Sequence, residues 1–79
     1  MKWFVYLLKC SDATLYCGIT NNLEKRIETH NKGKGAKYTK GRLPVVLIKY
    51  FELETKGEAL KLEYRIKQLP RQEKLDFEL

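Results

Sequence analysis

The run Trp3-Phe4-Val5-Tyr6-Leu7-Leu8 is apolar at nearly every position and rich in aromatic and β-branched residues. That is the pattern of a strand covered on both faces, not of one with a solvated side. In a chain of 79 residues such a strand has to be the centre of a sheet, with the remaining residues supplying its neighbours and two covering layers. A chain this short forms one domain, residues 1–79, near the lower limit of what burial alone can stabilise. With 43% hydrophobic and 33% charged residues its composition is that of a globular protein. The N-terminal apolar part is too short for a secretory leader, and no small-residue cleavage site follows it. No apolar run reaches membrane-spanning length, so a soluble protein without a membrane partner is expected.

Ser11-Asp12-Ala13 supplies a turn, after which Leu15, Cys17 and Ile19 alternate with Thr14, Tyr16 and Gly18, as in a returning strand over Thr14 to Ile19. A three-residue hairpin loop pairs Cys10 with Thr14, Leu8 with Tyr16 and Tyr6 with Gly18, so Tyr6 and Tyr16 stand side by side. Cys10 and Cys17 then point to opposite faces, which disfavours a bond between them. Two cysteines are too few for a disulfide framework, and reduced thiols in a cytoplasmic protein are expected.

Leu23 and Ile27 are spaced as on one face of a helix that ends near Gly33. Asn21 followed by Glu24 marks its start, with Thr20 or Asn22 as alternative caps. Arg26 and His30, also i, i+4, share a face beside the apolar stripe.

The net charge of +6 is unevenly spread: residues 1–50 hold ten Lys or Arg against three acids, and residues 51–79 six against seven. Lys32, Lys34, Lys37, Lys40 and Arg42 lie in one glycine-rich loop with Tyr38 and no acid. Such a loop can wrap phosphates and offer a ring for stacking; the alternative is a solvated linker. Pro44 to Phe51 reads as a third strand with the proline at its start.

Thr55 and Glu58 form a capping box, opening a helix that runs to about Leu69, before Pro70. Ala59, Leu60, Leu62, Ile66 and Leu69 define its inward arc, on which Glu63 also falls, while Lys61 and Arg65 point away. A carboxylate there needs compensation: either a nearby Arg or Lys, or a hard divalent metal. A short last helix between Pro70 and Leu79, with Leu75 and Phe77 inward, shows no chemistry of its own.

With Tyr6, Tyr16-Cys17-Gly18, Arg26 and Glu63 in place, practically the whole chain resembles the GIY-YIG nuclease superfamily, and most of all its small stand-alone bacterial members. Phe4-Val5-Tyr6 stands at the first triplet and Tyr16-Cys17-Gly18 at the second, with Cys17 for the usual isoleucine. The resemblance implies an α+β fold, a small three-stranded antiparallel sheet flanked by helices. It also implies hydrolysis of phosphodiester bonds, in DNA first of all, at damaged or branched structures in repair and recombination. Tyr16 would be the general base, directly or by passing its proton to Tyr6 or His30. Its ordinary pKa of ~10 requires the field of Arg26 or a metal. Arg26 would fork onto the scissile phosphate, Gly18 would allow close approach, and Glu63 would hold Mg²⁺, with Mn²⁺ as substitute. This mechanism needs the Glu63 helix to pack against the hairpin face bearing Tyr16. Nothing after Glu63 matches the asparagine that many members carry there, so the alternative is a nucleic-acid-binding module of the same fold that turns over weakly or not at all.

Overall fold

The computed structural model describes residues 2–79 and orders its elements as β1 (Trp3–Lys9), β2 (Leu15–Thr20), α1 (Leu23–Asn31), α2 (Lys37–Lys40), β3 (Val46–Leu53), α3 (Lys56–Lys67) and α4 (Arg71–Asp76). The strands form one antiparallel sheet in the order β2-β1-β3. The apolar run is therefore the central strand, as its two-sided hydrophobicity requires.

The hairpin register is the expected one, with Tyr6 opposite Gly18 and Leu8 opposite Tyr16. The Cys10 amide donates to Thr14 O at 2.8 Å, and Ala13 takes the left-handed conformation (φ 69°) that a three-residue loop needs at its last position.

The sheet divides the interior into two cores. Val5, Leu7 and Cys17 pack with Ala59, Leu62 and Ile66 of α3 on one face. Tyr6, Leu8, Cys10 and Val45 pack on the other, with Tyr16 and with Leu23 and Ile27 of α1 against them. Both cysteines are free and buried, one in each core. The Cys17 thiol is pushed up to about 11, first by burial and then by the charge of Glu63.

Helix α1 is capped by Asn22, whose side chain accepts from the Lys25 amide, so the cap is one of the alternatives to Asn21. Its C-terminus closes with Gly33 at φ 76°, the Gly33 amide donating to His30 O and the Lys34 amide to Thr29 O.

Three expectations need correction. Strand β3 starts at Val46, two residues later than Pro44, because the Val45 amide and carbonyl are both taken by the Asn31 side chain, at 2.7 and 3.2 Å. The basic stretch is not simply a loop: Lys37 to Lys40 form a helical turn with Thr39 fully buried. Leu60 is 46% exposed, since the sheet covers only the narrower arc of Ala59, Leu62 and Ile66. The capping box is present, Thr55 accepting from the Glu58 amide at 3.1 Å. Phe77, just after α4, packs edge-on against Phe51.

Candidate active site

Tyr6, Tyr16, Arg26 and His30 converge on the α1 face of the sheet. Tyr6 is 1% exposed and His30 0%, so these two lie beneath the surface, while Tyr16 and Arg26 are only half-buried. One assignment of protons satisfies every group. Thr39 Oγ1 donates to Ala36 O at 2.9 Å, which leaves its oxygen to accept from His30 Nδ1 at 2.9 Å. His30 Nε2 then accepts from the Tyr6 hydroxyl at 2.9 Å, and the Tyr6 oxygen accepts from Arg26 Nε at 3.3 Å.

This chain requires a neutral imidazole. Burial, and after it the charge of Arg26, hold His30 below the ordinary histidine range, while burial raises the Tyr6 phenol. Thr39 was not foreseen from the sequence; a threonine in a lysine-rich stretch carries no periodicity that would single it out. Thr39→Val should destabilise the fold by about 1–3 kcal/mol. It should also move the ring ¹⁵N shifts of His30 from a pure Nδ1–H tautomer towards a mixture, read by NMR; unchanged shifts would mean that Thr39 does not set the tautomer.

The pH dependence follows from the sign of the His30 shift. A histidine whose pKa is depressed in the folded protein binds fewer protons than in the unfolded chain, so stability falls as pH drops below about 6.5. Asp12 is lowered first by hydrogen bonds from Thr14 and then by Arg42, and Glu28 and Glu54 by the hydrogen bonds and charges of Lys32 and Lys2 respectively, and their stabilisation is lost only below about 4.5. A melting temperature that declines between pH 7 and 5 in the native protein and stays flat in His30→Gln is the expected result.

Two glycines make this packing possible. A Cβ on Gly18 would lie 2.5 Å from Tyr6 Oη and 2.7 Å from its Cζ. A Cβ on Gly35, a second residue the sequence did not mark, would overlap the His30 ring and lie 2.9 Å from its Cα.

Tyr16 packs edge-on against His30, ring centroids 5.4 Å apart, and stacks on Tyr38 at 5.9 Å. Arg42 lies over the Tyr38 ring at 4.1 Å, so the ring is braced by Tyr16 and Arg42 while it stays 40% exposed. Arg42 also donates to Asp12 at 3.0 Å, and Lys32 pairs with Glu28 at 2.6 Å. Lys34, Lys37 and Lys40 are exposed and have no ion pair among the described residues. Arg26 lines an open cleft of about 290 Å³ with Thr20, Asn21, Asn22, Lys25 and Thr29, and the ends of its guanidinium make no hydrogen bond among the described residues.

Glu63 is placed differently. Helix α3 packs on the Val5, Leu7 and Cys17 face, not on the face bearing Tyr16, so the expected face-to-face arrangement is not formed. The Glu63 side chain is 18% exposed and pairs with Lys67 at 3.3 Å. Its charge bears on the Cys17 thiol, which puts the carboxylate under β2, with Tyr16 above the same edge strand. Among the described residues no group of three or more His, Cys, Asp or Glu is gathered. Glu63 would therefore be a lone carboxylate ligand, already paired with Lys67, and a hard divalent cation bound there would keep most of its coordination positions for water.

No helix of the described residues is long and apolar enough to cross a membrane. Residues 2–76 match the GIY-YIG catalytic domain. A UPF0213 protein of Nitratidesulfovibrio vulgaris is 53% identical over 73 residues, covering 92% of this chain and 66% of that relative. One of Clostridium perfringens is 60% identical over 75 residues, covering 94% and 80%. The solution NMR structure of a UPF0213 protein from Bacillus halodurans superposes with a TM-score of 0.59 at 43% identity, over 94% of this chain and 79% of that one. That of a protein from E. faecalis gives 0.66 at 38%, over 96% and 81%.

Proposed function

The chain belongs to the GIY-YIG family, whose fold is of the nuclease type, and from that premise we propose that it is a metal-dependent endonuclease that hydrolyses DNA. We propose further that it is directed by damage or branching, in repair or recombination, and not by sequence. One observation carries this reading. A fully hydrogen-bonded buried chain from Ala36 through Thr39, His30 and Tyr6 ends on Arg26 Nε, and Arg26 lines an open cleft at the Thr20 end of β2.

Phosphodiester hydrolysis adds negative charge at an already anionic centre, so fixed positive charge and an oriented water are what the protein must supply. Arg26 supplies the charge in a fork suited to two phosphate oxygens. Tyr16, whose hydroxyl makes no hydrogen bond to Tyr6, His30 or Arg26, is the general base for the attacking water. Tyr6 and His30 are too deep to touch substrate; their part is to hold Arg26. Glu63 would hold Mg²⁺, or Mn²⁺ in its place, once it parts from Lys67; lying on the other face of the sheet from Tyr16, it could bring that charge to the phosphate only around the free edge of β2. Lys34, Lys37 and Lys40 give sequence-independent affinity for the backbone.

A binding module without turnover is the second reading, favoured by the placement of Glu63 across the sheet from Tyr16. Labelled duplex, branched and single-stranded DNA, incubated with Mg²⁺ or chelator, separates the two. Cleavage that needs the metal and falls at least ~100-fold in Glu63→Gln and in Tyr16→Phe, with binding retained, is the expected outcome. Salt-sensitive binding with no metal-dependent cleavage would establish the second reading, and cleavage undiminished in both variants would overturn the first.

A further inference from the structure

Strand β2 is an edge strand, and open clefts lie at both of its ends. The Thr20 end carries the Arg26 cleft. At the other end a cleft of about 230 Å³ is lined by Thr14, Leu15, Tyr38, Arg71 and Lys74. Its two cations come from α4, the segment in which the sequence shows no chemistry. Resting on the reading of Arg26 as a phosphate ligand, we infer that Arg71 and Lys74 form a second phosphate-binding station for the same nucleic-acid strand, which runs along the edge of β2.

Charge, anchoring and span support this. Arg71 and Lys74 are three residues apart on α4 and face the same cleft. Arg71 donates to the Ala13 carbonyl, which fixes its guanidinium beside the hairpin loop. The Lys74 ammonium makes no hydrogen bond among the described residues, and neither cation has an ion pair there. Two uncompensated cations in one cleft suit a polyanion. Tyr38, which lines this cleft, also stacks on Tyr16 of the site.

The six residues of β2 span roughly 17–20 Å at about 3.3 Å each. One strand of DNA advances about 3.4 Å per nucleotide in B form, so a strand laid along this edge covers about five nucleotides, fewer if extended. The protein then reads a short backbone path on both sides of the scissile bond, with no demand for particular bases.

The test is binding of a labelled oligothymidine of about 12 nucleotides, followed by fluorescence anisotropy in chelator over a range of salt concentrations. Each phosphate contact on a single strand contributes about 0.7 to the slope of log affinity against log salt. Arg71→Ala/Lys74→Ala should weaken binding roughly tenfold at low salt and reduce the slope by about 1.4. Lys74→Gln alone, which breaks no hydrogen bond and so keeps the fold, should reduce it by about 0.7. Unchanged slopes overturn the proposal, including the case in which affinity falls at constant slope, because the loss then comes through the fold. Cleavage by the native protein and by Glu63→Gln in Mg²⁺ tests the nuclease reading separately, since the salt slopes need no turnover.

Discussion

Replacing Arg26 with alanine is expected to slow DNA cleavage by about 10²–10³-fold, the range found when one fixed donor to a developing anionic charge is removed. The loss should fall mainly on kcat, because the exposed lysines maintain most of the backbone affinity and the guanidinium matters most where charge accumulates. Arg26→Lys should recover only part of it. A lysine keeps the charge but has neither the planar fork nor an Nε–H in position to reach Tyr6. Steady-state kinetics on whichever substrate the native protein cleaves decides the matter, and an alanine variant within about threefold of the native rate would remove Arg26 from the mechanism. The buried residues behind it should give a different signature. Tyr6→Phe leaves Arg26 present but unheld, so the rate should drop less than in Arg26→Ala, and the double variant should be no slower than Arg26→Ala alone.

Gly18→Ala is expected to be strongly destabilising for a change of one methyl group. The new Cβ would stand 2.5 Å from Tyr6 Oη and 2.7 Å from Cζ, and Tyr6 cannot swing aside because its hydroxyl is held by His30 and Arg26. Overpacking of a well-filled core costs about 1–3 kcal/mol, which in a domain of this size lowers Tm by about 5–20 °C, and cleavage should fall with it as Arg26 loses its support. Gly41→Ala is the matching control, since a Cβ there meets nothing within 4 Å. Combining Gly18→Ala with Tyr6→Phe should restore part of the lost stability, because the Oη overlap disappears while the Cζ overlap stays. Thermal melts of the four proteins measure this, and a Gly18→Ala protein as stable as Gly41→Ala would contradict the packing.

The hairpin register was legible because a three-residue loop between two strands leaves little freedom, and one register places Tyr6 against Gly18. The capping box at Thr55 and the inward set Ala59, Leu62 and Ile66 were legible for the same kind of reason: each is a local rule. The layer to which α3 belongs was not. Trp3 to Leu8 is apolar on both faces, so its pattern asks for two covers without saying which helix provides which. That ambiguity is why Glu63 was expected beside Tyr16 and lies across β2 from it. Thr39 and Gly35 were illegible because their roles depend on where a glycine-rich stretch folds back over His30, which no periodicity encodes. The basic loop was read correctly as charged, but Asp12 and Glu28, which neutralise Arg42 and Lys32, come from outside it.

Strand β1 lends Val5 and Leu7 to one core and Tyr6 and Leu8 to the other, so the two halves of the interior are cut from a single ribbon. A slip of one residue would exchange every side chain between them at once, leaving an aliphatic group where Arg26 and His30 expect a phenol. The site therefore has no loosened form with the sheet intact, and it assembles or dissolves with the whole domain. Amide exchange at β1 and the tautomer signal of His30 should report one and the same opening event, with one free energy.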